Sequence, residues 1–284
     1  MGKKMIITAD DYGMCSDVDL AIDDCIKAGL LTSTNVIVNI GNLSAAKTLR
    51  QRFPTISIGL HWNVTAGKPV SAIKDIPTLI ESQTGEFYKP SVFMKRYSKG
   101  LIKFEDLQKE LIAQYQIFEE TCGKADYWNV HQNSSLNFST FPAFNKVALK
   151  LGINKTRTFK RVYLKEKRLK GIKANLFEWI KKNVFLYWFG VIKPKSGTLM
   201  PDGRVIYFDN KQKSEDLRNI GENILWGKNN IIELVIHPAI TDGNPLFGTL
   251  SDMRVKEWKM FSSKKTAEYL KTIDIQLVNF NDIR

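Results

Sequence analysis

The chain has 284 residues, of which 43% are hydrophobic, and a formal net charge of +13. This size allows one α/β barrel or two ordinary domains, and we favour a single domain over residues 1–284. The positive charge is compatible with nucleic acid, an anionic membrane surface or an anionic substrate as the binding partner. Without a secretory signal, a membrane-spanning stretch or a CxxC pair among the three cysteines, we expect a cytoplasmic protein with no stable membrane association, disulfide framework or cysteine zinc site.

Strand-like runs alternate with amphipathic helical patterns along most of the chain. This alternation predicts an irregular TIM-like (β/α) barrel of about seven parallel strands, with an open doubly wound sheet as the alternative. Residues 160–205 fit neither kind of element and are interpreted as an insertion. The predicted strands are 5–9, 34–40, 56–61, 126–131, 153–159, 231–236 and 273–280, and the predicted helices are 17–28, 44–52, 106–121, 141–151, 214–226 and 254–271.

Two adjacent aspartates, Asp10 and Asp11, follow the first predicted strand. Carboxylates in that position often cap the next helix, where they meet its free N–H groups and its dipole. The next helix has its own capping-box-like start at Ser16 and Asp19, however, so the acidic pair is not needed as a cap. The pair is therefore a candidate for a functional site as well as for a helix cap.

Each of the three histidines lies at the carboxyl end of a predicted strand: His61, His131 and His237. In a parallel barrel these ends open on one face, so the histidines and the acidic pair should converge. Two imidazoles and one carboxylate can bind a divalent cation, a second carboxylate can accept a proton from the attacking water, and a third imidazole can protonate a leaving group. Spacing alone does not say which aspartate binds the metal.

Several ordered segments carry a resemblance to a known family. They are "TADDYG" (8–13), "GLLTSTNVIVN" (29–39), "GLHWNVTAGKPV" (59–70), "DYWNVHQNSSL" (126–136) and "VIHPAITD" (235–242), followed by a similar tail. Together they resemble the YdjC-like carbohydrate deacetylase family, of the ChbG type, over nearly the whole chain apart from 160–205.

The resemblance implies metal-dependent removal of an N-acetyl group from a small amino sugar or chito-oligosaccharide. It places the metal ligands on Asp11, His61 and His131, the catalytic base on Asp10, and an acid or orienting residue on His237. Magnesium is the ion that the resemblance favours, while this ligand set also suits zinc. The expected partner is a small carbohydrate rather than nucleic acid, and a homodimer is possible.

The chain departs from the family pattern after His131, where Asn133 and Ser135 replace two histidines. Both side chains can form hydrogen bonds, and we assign Asn133 to substrate binding. Arg157 follows the fifth predicted strand, so we expect it on the same face as the acidic pair and the histidines. There its planar guanidinium could bind the phosphate of a phosphorylated sugar. The rival interpretation is a catalytically impaired protein that binds a sugar phosphate or nucleic acid.

The predicted insertion is basic, and an aromatic helical pattern runs from Leu176 to Ile192 within it. A lid or a subunit-contact helix is the simplest interpretation of this pattern. A wall that stacks against sugars and an interfacial membrane helix are the alternatives.

Overall fold

The computed structural model describes residues 2–132, 139–164, 197–206 and 217–284. Most of the predicted insertion, including the aromatic pattern at 176–192, lies outside these ranges. Among the described residues, no helix has the length and apolar character that crossing a membrane requires.

A seven-stranded parallel sheet forms the centre of the molecule, in agreement with the predicted α/β fold and strand number. Its strands are β1 Lys3–Tyr12, β2 Ser33–Val36, β3 Ser57–Trp62, β6 Trp128–Val130, β7 Gly203–Ile206, β8 Ile231–Ile236 and β9 Ile275–Leu277, while β4 (Ile80–Glu81) and β5 (Glu86–Phe87) form a separate antiparallel pair. Within the sheet the strands lie in the order β6, β3, β2, β1, β8, β7, and β9 pairs with the beginning of β1.

An irregular segment joins the two ends of this strand order and curls the sheet toward a barrel. Trp128 of β6 donates its backbone N–H to the carbonyl of Lys155, and Arg204 of β7 donates to the carbonyl of Lys160. The same segment therefore contacts both β6 and β7, as a barrel strand would. This connection distinguishes the fold from an open doubly wound sheet.

Two predicted elements differ from the structure in this region. The segment 153–159 forms isolated bridges in place of a regular strand. In contrast, Gly203–Ile206 is a strand paired with β8, although we placed residues 203–205 in the insertion. The strand at 203–206 is short and its neighbours in the sequence are polar, so its strand-like hydrophobic pattern is weak. It becomes a strand because β8 offers a free edge of backbone donors and acceptors.

The helices surround the sheet and bury one face each. In the helix Phe104–Cys122, Leu107, Leu111 and Phe118 are fully buried, as expected for the amphipathic helix predicted at 106–121. The predicted helix 254–271 is two helices, and the described part of 214–226 contains only a 3-10 turn at Leu217–Ile220. In the described part of the chain, the α-helices are Ser16–Lys27, Leu49–Arg52, Pro90–Ser98, Phe104–Cys122, Phe141–Lys150, Ser251–Phe261 and Lys264–Thr272.

Asp19 fixes the turn between β1 and the first helix. Its Oδ1 accepts a hydrogen bond of 2.6 Å from the backbone N–H of Gly13, a residue with a φ of 87°. Burial raises the pKa of Asp19 to about 6, although this hydrogen bond opposes the rise. The carboxylate is therefore held ionised at neutral pH at a cost in stability.

Asp19→Asn should remove this cost, because the amide oxygen can still accept from Gly13. A folded-state pKa above the unfolded value stabilises the protein fully below about pH 4, and this contribution is lost as the pH rises through 6. We expect the variant to be more stable than wild type by about 1–3 kcal/mol at pH 7 and equally stable near pH 4. Urea denaturation across this range measures the difference, and a less stable variant at pH 7 would contradict the assignment.

Candidate active site

A β-bulge places the two adjacent aspartates on the same face of the sheet. Between Ala9 and Tyr12 the register with β2 shifts, so that Asp10 and Asp11 lie opposite the single residue Asn35. Asp11 adopts a φ of 77°, which is unusual for a residue other than glycine. Successive side chains of a regular strand point to opposite faces, and the bulge removes that alternation. The strand therefore continues through the acidic pair, whereas we predicted that it would stop there.

Asn35 fastens the bulge from the neighbouring strand. Its Nδ2 donates to Asp10 Oδ1 at 2.6 Å, and its Oδ1 accepts from the backbone N–H of Asp11 at 3.4 Å. One buried amide thus satisfies the side chain of one aspartate and the backbone of the other.

Asp11, His61 and His131 converge on one point. Asp11 Oδ1 lies 3.3 Å from His61 Nε2 and 3.0 Å from His131 Nδ1, and the two imidazole nitrogens are 3.2 Å apart. Neighbouring ligand atoms on an ion with bonds of about 2.0–2.1 Å are separated by about 3.0–3.4 Å. The three atoms therefore have the spacing and the chemical nature of a facial ligand set for a divalent cation.

Each aspartate of the pair has its own arginine. Arg157 donates to both oxygens of Asp10, with Nη1 to Oδ2 at 2.6 Å and Nη2 to Oδ1 at 2.7 Å. Arg254 donates its Nη2 only to Asp11 Oδ2, at 2.6 Å. Asp10 is therefore occupied on both oxygens, whereas Asp11 keeps Oδ1 directed at the two imidazoles. This asymmetry favours Asp11 as the metal ligand, a choice that spacing alone left open.

The two arginines keep the buried carboxylates ionised. Burial alone would raise the pKa of Asp10, but Arg157 holds that pKa well below its usual range. Burial likewise opposes ionisation of Asp11, and Arg254, with a smaller contribution from His131, keeps its pKa well below the usual value. At neutral pH both carboxylates are ionised, so they accept hydrogen bonds and cannot donate them.

The environment of Arg157 changes our prediction for this residue. Only 2% of it is exposed, and it also donates to Glu233 from Nε and Nη2 at 2.9–3.1 Å. The guanidinium is thus enclosed between two carboxylates and does not present its fork to a ligand. The predicted phosphate contact is incompatible with this geometry. Asn133, the other predicted substrate residue, lies outside the described residues.

His237 borders Asp10 on the open side of the site. Its Nε2 is 3.7 Å from Asp10 Oδ2, and its backbone N–H donates to Glu257. Burial lowers the pKa of His237 to about 4, against the opposing effects of Asp10 and Asp11. The imidazole is therefore neutral at neutral pH, with one N–H donor and one acceptor nitrogen.

Several residues of this site were not among our predicted site residues. Glu233 lies inside the otherwise apolar strand β8, and a lone buried charge in such a run is a signal that it has a partner. Arg254 and Glu257 come from the helix Ser251–Phe261. Our predicted site residues were chosen at the ends of predicted strands, so residues inside a helix were not among them. Asn129, with Oδ1 at 2.5 Å from His61 Nδ1, reads in the sequence as an ordinary polar residue of β6.

Comparisons with known proteins agree with the fold and with the sequence resemblance. The family model described as YdjC-like protein matches residues 4–272. A carbohydrate deacetylase 2 of Listeria innocua is 28% identical over 99% of this chain and 98% of its own. A carbohydrate deacetylase of Xenopus laevis is 34% identical, but the match spans only 51% of this chain and 46% of that relative.

A chitooligosaccharide deacetylase of Yersinia pestis is 28% identical over 44% of this chain and 47% of its own length. Among solved structures, a protein of Enterococcus faecalis V583 with a suggested role in cellobiose-phosphate cleavage has a TM-score of 0.77. It is 22% identical, and the match covers 99% of this chain and 98% of that protein. This likeness supports the same fold.

Arg157→Met should lower the free energy of unfolding, because it leaves the carboxylates of Asp10 and Glu233 buried without their cationic partner. Breaking one side of a buried ion cluster costs about 3–5 kcal/mol. We expect a loss of this size in urea denaturation of the metal-free protein at pH 7.

Arg157→Met combined with Glu233→Gln is the matched control, since it removes one of the two stranded charges. The double variant should recover part of the stability lost by the single variant. A single variant within 1 kcal/mol of wild type would contradict a structural role for this cluster.

Proposed function

The chain belongs to the YdjC-like protein family, and from this premise we propose that it is a metal-dependent carbohydrate N-deacetylase. The proposed reaction is hydrolysis of the N-acetyl amide of a small amino sugar or chito-oligosaccharide. The names of its relatives support a carbohydrate deacetylase, and the full-length match to the Listeria innocua protein extends that support over the whole chain.

The observation that carries the proposal is the ligand triangle beside an ionised, non-ligating carboxylate. Asp11, His61 and His131 would hold the ion, and Asp10 stands next to them with its charge fixed by Arg157. When bound, a divalent ion supplies Lewis acidity to the amide carbonyl and makes a water molecule more acidic. Amide hydrolysis needs both effects together with a proton acceptor at the attacking water.

Asp10 and His237 provide a route for the proton. In the proposed mechanism Asp10 Oδ2 accepts the proton of the attacking water, and His237 Nε2, 3.7 Å away, receives it and delivers it to the leaving nitrogen. Burial lowers the pKa of His237 to about 4, so its neutral imidazole has an acceptor nitrogen that can take up this proton. Arg157 acts as a positioning residue in this scheme, since it fixes both oxygens of the base.

The identity of the ion is part of the proposal. Resemblance to the family favours Mg²⁺, whereas two imidazoles and one carboxylate favour Zn²⁺, because magnesium prefers ligand sets made of oxygen. Metal analysis of the purified protein, followed by reloading with each ion, decides between them. The homodimer and the cytoplasmic location stay predictions.

The rival function, a catalytically impaired sugar-phosphate or nucleic-acid binding protein, rested on Asn133 and Ser135 in place of two histidines and on the basic stretch. Asn133, Ser135 and most of the basic stretch lie outside the residues that the structure describes, so activity has to decide between the two functions. An assay of acetate release tests the enzyme directly, with N-acetylglucosamine, its phosphorylated form and chito-oligosaccharides as substrates. No acetate from any substrate with either ion would overturn the proposed activity.

Asp10→Asn should abolish most turnover and keep the metal, because Asp10 accepts a proton without binding the ion. Loss of a general base lowers kcat by about 10²–10⁴-fold. Asp11→Asn and His61→Ala should each lower metal occupancy as well as turnover. Metal content and acetate release are measured on the same preparations.

Asp274→Asn, at an exposed position, is the control for removing one carboxylate and should retain full activity and metal content. If Asp10→Asn empties the site while Asp11→Asn leaves it filled, the two aspartates have the opposite roles.

A further inference from the structure

Asn129 lies between the ligand triangle and the base. The side chain is buried, with Oδ1 2.5 Å from His61 Nδ1 and Nδ2 3.4 Å from Asp10 Oδ1. When the amide is rotated by 180°, Oδ1 accepts from Asn35 Nδ2 at 3.0 Å and from Arg157 Nη1 and Nη2 at 3.1 and 3.2 Å. The end of the amide away from His61 thus lies among donor groups and is best occupied by an acceptor.

The other end of the amide is controlled by the proton on His61. A neutral imidazole that ligates through Nε2 carries its proton on Nδ1, and this N–H then requires an acceptor. With an ion on His61 Nε2, one end of the Asn129 side chain would therefore face the imidazole N–H. The other end lies 3.0–3.2 Å from three donor groups, and its one acceptor, Asp10 Oδ1 at 3.4 Å, is a longer and weaker contact. An amide has one acceptor end and one donor end, so it satisfies only one side.

We propose that Asn129 limits the metal affinity of this site by setting the tautomer of His61. In the metal-free protein, the Asn129 Nδ2 donates to His61 Nδ1, and Oδ1 accepts from Arg157 and Asn35. The imidazole proton then lies on Nε2, toward Asp11 Oδ1 at 3.3 Å, where the ion would bind. With an ion on Nε2, His61 would carry its proton on Nδ1, and the Asn129 amide would have to turn over to accept from it. This inference rests on the metal site of the proposed function.

A carboxylate at position 129 would resolve the conflict, because it accepts at both ends. Asn129→Asp should therefore bind Zn²⁺ more tightly than wild type. A change in a residue that hydrogen-bonds a metal ligand typically alters metal affinity by about 10–100-fold, and we expect a gain of at least 10-fold on that scale. The measurement is a competition titration of the metal-free protein with Zn²⁺ and a chromophoric chelator. It requires no turnover, so it is independent of whether the substrate has been identified.

Asn63→Asp is the control for the added charge. Residue 63 follows β3 two positions after His61, and its side chain forms hydrogen bonds with Asn39, Thr65 and Ala66, which do not belong to the Asn129 network. We expect a gain in Zn²⁺ affinity well below that of Asn129→Asp. An equal gain in the two variants would assign the effect to charge alone and would overturn the proposal.

Imidazole nitrogen NMR tests the tautomer directly, and three histidines give a spectrum that single substitutions can assign. Metal-free wild type should show His61 protonated on Nε2, and metal-free Asn129→Asp should show it protonated on Nδ1. A metal-free wild type already protonated on Nδ1, or a folded Asn129→Asp without tighter binding, would overturn the inference. Failure of both proteins to bind Zn²⁺ would overturn the metal site itself, and the affinity claim with it.

Discussion

Two like charges on one face of a buried strand are the constraint from which the site is built. Neighbouring carboxylates can face the same way only because β1 is bulged, and they can stay ionised only because each has an arginine of its own. Arg157 and Arg254 come from distant parts of the chain, so the pair is neutralised by tertiary structure rather than by local sequence. Their unequal geometry makes the two aspartates chemically different, because Arg157 contacts both oxygens of Asp10, whereas Arg254 leaves one oxygen of Asp11 directed at two imidazoles.

This arrangement is expensive for the fold, which indicates that it serves the chemistry. Removing ions from water costs several kcal/mol each, and pairing them returns about that amount only when the geometry is good. Apolar residues of similar size in place of Asp10, Arg157 and Glu233 would fill the interior with a smaller electrostatic penalty. The cluster holds a charged acceptor in a fixed position and protects it from solvent, which an apolar core would not do.

The sequence revealed the positions of the site better than the connections between them. The strand-end histidines were visible because buried strands have clear apolar patterns, and the half-barrel followed from the alternation of strands and helices. The bulge was not visible, since an extra residue in a strand changes register without changing composition. Arg157 was expected on the correct face, but its role was wrong because its environment depends on Glu233, a residue of a strand far along the chain.

The pairing of β1 also determines when this protein can fold. β1 is an early part of the chain, yet it pairs with β8 along most of its length and with β9 at its beginning. During synthesis β1, whose centre is apolar and whose end carries two aspartates, is therefore made more than two hundred residues before β8. Long-range parallel pairing of this kind is slow and exposes unpaired strand edges. The candidate site can therefore be complete only after β8, His237 and Arg254 have been synthesised, because each of them contacts β1 or its aspartates.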